Sequence, residues 1–175
     1  NWLKLSIGAT RKDKRTRRIV HLDKYFKQLK GDWETIFESR DITFDYNVTA
    51  DVALKILEID IDSIFNNLIT NSIYAFSISK EDRPRNIHIN VKVDDASLYI
   101  DYMDNGPGLS KDIVEPYDIF KALYTTKRSR VSGEEEGTGL GMWIVQTIIE
   151  ENNGKYYLLF PETGFGLRIV LPSNN

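Results

Sequence analysis

Asn67-Leu68-Ile69-Thr70-Asn71-Ser72 is the stretch from which the rest of the chain is read, because it sets two amides four residues apart inside a helical pattern. Asp62 is a residue able to cap that helix. Ile64, Phe65, Leu68, Ile69 and Ile73 or Phe76 then recur at the spacing of one inward face, out to about Lys80. Residues four apart share a helix face, so Asn67 and Asn71 project together. Three further segments follow in order: Asp104-Asn105-Gly106-Pro107-Gly108, then Phe120 to Lys127, then Gly137-Thr138-Gly139-Leu140-Gly141-Met142.

On the N-terminal side, Leu22, Tyr25, Phe26, Leu29, Trp33, Ile36 and Phe37 predict a helix over 20–39, entered from the basic stretch Arg11 to Arg18. Residues 42–48 and 52–59 read as strands rich in β-branched side chains. On the C-terminal side, strands are predicted at 87–93 and 97–103, joined by a polar turn at Asp94-Asp95. Residues 110–124 admit one short helix, and 125–136 are polar and charged without periodicity. A helix over 138–151 carries Leu140, Ile144, Val145 and Ile148 on one side and ends at Asn153-Gly154. Strands at 155–160 and 166–171 complete the chain. There is no internal repeat and no low-complexity tract. Helices and strands mixed in this way, with hairpin connections, predict an α+β fold: a two-layer α/β sandwich with a mixed, mostly antiparallel sheet and helices on one face.

Composition sets the outer bounds. At 175 residues, 41% apolar and 28% charged, the chain is of ordinary soluble type and long enough to bury a sizeable core. A net charge of -3 gives no reason to expect a nucleic-acid partner. The absence of cysteine excludes disulfides and thiolate metal sites. No apolar run is long enough to span a bilayer and no signal peptide is visible, so a cytoplasmic chain without membrane contact of its own is expected. It begins at Asn1 rather than Met, as expected for a piece of a longer protein with a membrane anchor elsewhere.

The four segments carry chemistry when placed on these elements. Mg²⁺ takes oxygen ligands and keeps waters and substrate phosphates, so one or two amide oxygens are a sufficient protein contribution; the alternative is the polar stripe of an amphipathic helix. Asp104, at a strand end, can accept a hydrogen bond from an exocyclic amine such as that of adenine, while Gly106 and Gly108 let backbone approach a flat ring; the alternative is a tight turn. Gly137 to Gly141 lies where loop becomes helix, and the unpaired amides and dipole of such a junction suit an anion; the alternative is a hinge. Lys127, Arg128 and Arg130 precede it and can reach terminal phosphates, whereas Glu134-Glu135-Glu136 must point away from them. Together these describe a nucleotide pocket.

The order of segments closely resembles the GHKL (Bergerat) ATP-binding fold shared by DNA gyrase, mismatch-repair ATPases, heat-shock chaperones and sensor histidine kinases. The resemblance runs from about Leu22 to Pro172 and includes Asp60 and the strand from Gly164 to Leu171. It is strongest toward the kinase catalytic (HATPase_c) domain, since Phe120 to Lys127 resembles the kinase F box with its Thr-Thr-Lys, and Gly137 to Met142 the second glycine box. The resemblance implies that residues 20–175 are an ATP-binding catalytic domain, with 1–19 a basic segment ending a linker or acceptor hairpin. It implies Asn71 as the Mg²⁺ ligand, Asp104 as the adenine ligand, and residues 121–138 as an ATP lid. Nucleotide contacts are then expected from Asn67, Asn71, Asp104, Gly106, Gly108, Thr126, Lys127, Thr138, Gly139, Leu140 and Gly141, with Asn67 and Lys127 in catalytic roles.

Hydrolytic members of the superfamily carry a glutamate base where this chain has Asn67, and an amide accepts no proton at neutral pH. Phosphoryl transfer to a protein histidine is therefore expected over hydrolysis. His21 and His88 lack an acceptor motif, so the acceptor hairpin is expected elsewhere in the full-length protein or on another protein, with a response regulator as a further partner. An ATP-sensing module without transfer and a hydrolytic ATPase are the alternatives. Two positions depart from the kinase pattern: Tyr74 stands where a basic residue is common, and Phe165 where a small hydroxyl is.

Overall fold

The computed structural model describes residues 16–49, 51–79, 83–94, 96–125 and 138–173. Its elements in chain order are β1 (Arg18–His21), α1 (Leu22–Ser39), β2 (Ile42–Asn47), β3 (Ala53–Ile56), α2 (Glu58–Ile78), β4 (Arg85–Val93) and β5 (Ser97–Asp104). A short 3-10 helix (Pro116–Phe120), α3 (Gly141–Glu151), β6 (Lys155–Leu159) and β7 (Gly166–Pro172) follow. Five strands form one sheet in the order β2-β4-β5-β7-β6, while β1 and β3 pair antiparallel in a separate ribbon. Within the large sheet β2 and β4 run parallel and the other neighbours antiparallel. Parallel neighbours need a long crossover, supplied here by β3 and α2.

Alternation along the strands explains why helices cover one face only. Ile87, Ile89 and Val91 on β4, Leu98, Ile100 and Tyr102 on β5, and Leu167, Ile169 and Leu171 on β7 are all buried. The residues between them face the other way, and that face carries polar pairs: Arg168 forks onto Asp101 at 2.7 Å twice, and Asn47 donates to Asn90 at 3.2 Å. The covered face packs on α1, α2 and α3 through side chains such as Phe26, Phe65, Ile69 and Ile148. Phe26 meets Phe65 edge to face at 4.9 Å and Phe37 stacks on Phe44 at 5.2 Å. Each such fully buried ring contributes about 1.5 to 3 kcal/mol by removal from water. The outermost strand β6 has one of its edge donors taken: Leu158 N–H donates to the Tyr117 hydroxyl of the 3-10 helix at 3.2 Å.

The mixed, mostly antiparallel sheet and helical layer agree with the sequence reading, and the boundaries differ at instructive places. Helix α2 starts at Glu58, and Asp62 lies one turn inside it rather than capping it. Leu57-Glu58-Ile59-Asp60-Ile61 alternates like a strand, but Ile61, Ile64, Phe65 and Leu68 share one buried helical face, and that burial decides. Glu58 and Asp60 then occupy the first turn, where carboxylates suit the dipole, and Asp62 instead accepts from the Tyr25 hydroxyl at 3.1 Å. Residues 20 and 21 belong to β1, a strand too short and basic to be read from periodicity, with Val20 its buried residue. Helix α3 begins at Gly141, because Gly139 takes φ +62° and ends the loop before it. At its C-terminus Asn153 takes the left-handed conformation. Gly154 N–H donates to Ile149 O at 2.8 Å and Asn153 N–H to Glu150 O at 3.0 Å, the Schellman pattern. No helix among the described residues is long and apolar enough to cross a membrane.

Candidate functional site

A cavity of about 610 Å³ opens between α2, the loop after β5 and the start of α3. One stripe of α2 forms its wall, with Asn67, Asn71, Tyr74 and Ile78 at successive helical turns, while the adjacent stripe of Leu68, Ser72 and Phe76 faces the core. Asp104, Gly108, Thr138, Gly139 and Gly141 line the same cavity, so residues spread over the chain converge on one space. Gly106 and Leu140 sit beside it without forming its wall. Thr126 and Lys127 lie outside the described residues, as do Arg128, Arg130, Glu134 to Glu136 and Gly137. Phe165 and Tyr74, the two departures noted from the sequence, both line the cavity.

At one end the chain is organised around Asp104, which is 6% exposed. Its Oδ1 accepts from the backbone N–H of Gly106 at 2.9 Å and of Phe165 at 3.1 Å; its Oδ2 accepts from the Ser72 hydroxyl at 2.5 Å. Glycine is required around it by close backbone approach. A Cβ on Gly164, whose φ is +91°, would stand 1.8 Å from the Asp104 carbonyl oxygen, and one on Gly108, at φ +76°, 2.8 Å from the Gly164 carbonyl oxygen. Arg83 donates to Gly106 O at 2.9 Å, and Asn105 ties the turn to the start of β4 by accepting from Asn86 N–H and donating to Pro84 O, each at 2.7 Å. Burial pushes the Asp104 carboxyl above the usual carboxylate range, opposed by Ser72, the two amides and the Arg83 guanidinium. A buried carboxylate with an open lone pair is an acceptor for a ligand N–H such as an exocyclic amine.

The other end is built from amides and a helix start. Asn67 Nδ2 donates to Ser63 O at 2.7 Å, which fixes the rotamer, and its Oδ1 stands 2.8 Å from where a Cβ on Gly141 would lie. Only glycine at 141 lets α3 begin against Asn67. The α3 N-terminus, with unpaired N–H groups and a positive dipole end, opens into the cavity at Gly141. Gly139 packs on the backbone of Leu123, 2.5 Å from a built Cβ, and Leu123 itself has φ +65°. Lys111 is the cation on the wall among the described residues. These residues contain no cluster of three or more His, Cys, Asp or Glu able to hold a metal. Asn71 and Asn67 offer hard oxygen donors only, a set that fits Mg²⁺ shared with phosphate and water and does not fit a transition metal.

Sequence reasoning missed Ser72, Tyr102 and Arg83 as supports of Asp104, and Lys111 and Met142 as wall residues. A signal existed for the first two: each puts a hydroxyl into an otherwise apolar inward row.

The raised Asp104 pKa has a measurable sign. A carboxylate raised on folding contributes stability at low pH that is lost as pH rises through the folded-state value. Between that value and the ordinary carboxylate range, the folded form holds a proton that the unfolded chain has released. The unfolding free energy of the wild type relative to Asp104→Asn is therefore expected to grow as pH falls through this window. Urea titrations at stepped pH check it, and a difference that is flat or shrinks on acidification contradicts burial as the dominant influence.

Comparison with known proteins agrees with this fold. Sensor histidine kinase TmoS of Ectopseudomonas mendocina is 34% identical over 107 residues, 61% of this chain and 10% of TmoS. Sensor protein kinase WalK of Staphylococcus saprophyticus is 28% identical over 174 residues, 97% of this chain. The chain spans 27% of WalK, so it matches only a part of these relatives. Among solved structures, the catalytic domain of histidine kinase ThkA superposes with TM-score 0.72 at 22% identity, covering 89% of this chain and 97% of that one. ThkA in complex with the response regulator TrrA superposes with TM-score 0.68 at 19% identity, covering 90% of this chain and 42% of that one. The fold is thus that of histidine kinase catalytic domains. Residues 56–175 match the model of the histidine kinase-, DNA gyrase B- and HSP90-like ATPases, and the chain belongs to that family.

Proposed function

We propose that this chain is the ATP-binding catalytic domain of a sensor histidine kinase, holding Mg-ATP and delivering its γ-phosphoryl to a histidine outside residues 1–175. The observation that carries this reading is the polarity of the cavity. It has a buried carboxylate acceptor at Asp104 on one side, and paired amides with a helix N-terminus on the other. Asp104 accepts the adenine amine, and Gly108 lets backbone approach the ring. Asn71, with Asn67 beside it, faces the phosphates, and the amides at the start of α3 receive their negative charge. Mg²⁺, when bound, supplies charge neutralisation and fixes the geometry of the phosphate oxygens. Thr126 and Lys127 are assigned to the phosphate end on their sequence pattern.

The acceptor imidazole nitrogen forms the P–N bond as the bond from γ-phosphorus to the bridging oxygen breaks, and ADP leaves with that electron pair. No wall residue need act as base on water, which suits the amide at Asn67 and favours transfer over hydrolysis. His21 and His88 lack an acceptor motif, so we assign the acceptor to a hairpin elsewhere in the full-length protein or to another protein. A response regulator is the expected recipient of the phosphoryl group, by analogy with the ThkA complex. The domain is assigned to the cytoplasm, where ATP is available.

Binding is tested by thermal melting. At a hundredfold excess over Kd, Mg-ATP stabilises by about 2.7 kcal/mol, expected as a rise in Tm of roughly 5 to 11 °C for a chain of this size. GTP is expected to do much less, since its ring presents a carbonyl where adenine has the amine. No shift with saturating ATP, or equal shifts with both nucleotides, overturns the reading.

A further inference from the structure

We infer that Tyr102 and Ser72 are positioning residues that set base specificity, by locking Asp104 as an acceptor and making its donor form unfavourable. The inference rests on the adenine-nucleotide reading above and adds to it residues that touch no ligand. Tyr102 lies on β5 opposite Ile89 and Leu167, in a row that is otherwise apolar, and is 0% exposed. Its hydroxyl is 2.7 Å from Ser72 Oγ, which is its hydrogen-bond partner among the described residues. Ser72 Oγ is in turn 2.5 Å from Asp104 Oδ2.

The direction of this chain follows from counting protons. A carboxylate is acceptor-only, so the single Ser72 proton points to Asp104, and Tyr102 must donate to Ser72. Burial and the nearby Asp104 charge push the Tyr102 phenol well above its ordinary range, so it keeps its proton. Oδ1 already accepts two backbone N–H groups, Gly106 and Phe165, leaving one lone pair on Oδ2 as the place for a ligand N–H. A ligand carbonyl at that place needs a protonated carboxyl instead. The proton cannot sit on Oδ1, which faces two donors, so it must sit on Oδ2. With that proton on the ligand, Ser72 can stay as it is only as a second donor against the same oxygen. With the proton on Ser72, the serine accepts from both Asp104 and Tyr102, its own proton loses Asp104 as acceptor, and Oδ2 offers the ligand carbonyl no donor. Both arrangements weaken or lose a buried hydrogen bond, which is unfavourable in a dry environment. The relay thus discriminates against 6-keto purines from behind the contact residue.

The test measures Mg-ATP and Mg-ITP affinities for wild type, Tyr102→Phe and Ser72→Ala by calorimetry, ITP differing from ATP by a keto group in place of the amine. In Tyr102→Phe the serine can turn freely, and the ATP-to-ITP affinity ratio is expected to fall by roughly 10- to 100-fold, mostly through gained ITP binding. Ser72→Ala is expected to lower the ratio too, and serves if the tyrosine variant does not fold. A purely structural role would weaken both nucleotides alike and leave the ratio unchanged. An unchanged ratio in the variants, with ATP still preferred by wild type, overturns the relay alone. Failure of wild type to bind ATP overturns the adenine-nucleotide reading and the relay with it.

Discussion

Gly164→Ala is expected to lower stability by about 3 to 5 kcal/mol, a fall in Tm of roughly 6 to 20 °C, and to abolish nucleotide binding in whatever protein remains folded. Two contributions add. The φ of +91° is one that a residue with a Cβ adopts only with strain, and the added carbon would stand 1.8 Å from the Asp104 carbonyl oxygen and 2.6 Å from its carbon. Neither contact is with a flexible side chain, so relief requires the β5 terminus to move. That segment carries Asp104, which is why binding is expected to fail together with stability. Gly31→Ala is the matched control. Gly31 lies inside α1 with nothing within 4 Å of a built Cβ, and alanine there is expected to stabilise by about 0.5 to 1 kcal/mol. Urea and thermal unfolding of the two variants give opposite signs for one chemical change. A Gly164→Ala protein melting within a degree or two of wild type contradicts the close crossing at Asp104.

Asn71→Ala is expected to remove the Mg²⁺-dependent part of ATP affinity, about 1.5 to 3 kcal/mol as for a hydrogen bond to a charged group, and with it phosphoryl transfer. Loss of metal-assisted charge stabilisation at the transferring group amounts to several kcal/mol, so the rate is expected to fall on the order of 10² to 10⁴-fold. Asp104→Ala should instead weaken adenine recognition whether or not Mg²⁺ is present, and calorimetry with and without the metal separates the two. For the chemistry, the chain alone incubated with γ-labelled ATP is expected neither to label itself nor to hydrolyse briskly. A protein carrying the acceptor hairpin should yield an acid-labile phosphohistidine that disappears with Asn71→Ala. Rapid hydrolysis by the chain alone would favour the hydrolytic ATPase, and tight binding without transfer to any acceptor would favour a sensing module.

The fold was legible where periodicity was unambiguous and burial agreed with it. α1 was visible from Leu22, Phe26, Leu29 and Phe37, and β4 from Ile87, Ile89 and Val91, since these are the residues that face the core. The start of α2 was misread because Leu57 to Ile61 alternates, and only the common face with Ile64 and Phe65 resolves it. β1 was invisible because it has only four residues and turns Val20 alone inward, too little for a period to show. At the site, Asn71, Asp104 and the glycines stood out by type and spacing, and the structure brings Asn71, Asp104, Gly108, Gly139 and Gly141 onto the wall of one cavity. Their supports did not stand out. Ser72 and Tyr102 are thirty residues apart and meet only when β5 lies beneath α2, and Phe165 serves Asp104 with its backbone, which no side-chain reading can detect.

The hydroxyl of Tyr117 against Leu158 N–H bears on how this molecule coexists with copies of itself. β6 is a terminal strand of the sheet, and an outer strand with open amides is a template onto which another chain can be added. By engaging one of those donors the 3-10 helix interrupts the ladder that an incoming strand would need to complete, and Pro161 follows just beyond the end of β6. The aromatic group of Tyr117, Phe120 and Tyr156 anchors this cover by packing rather than by pairing. A short helix that looks like filler between two pocket segments therefore also blunts the β6 edge of the sheet.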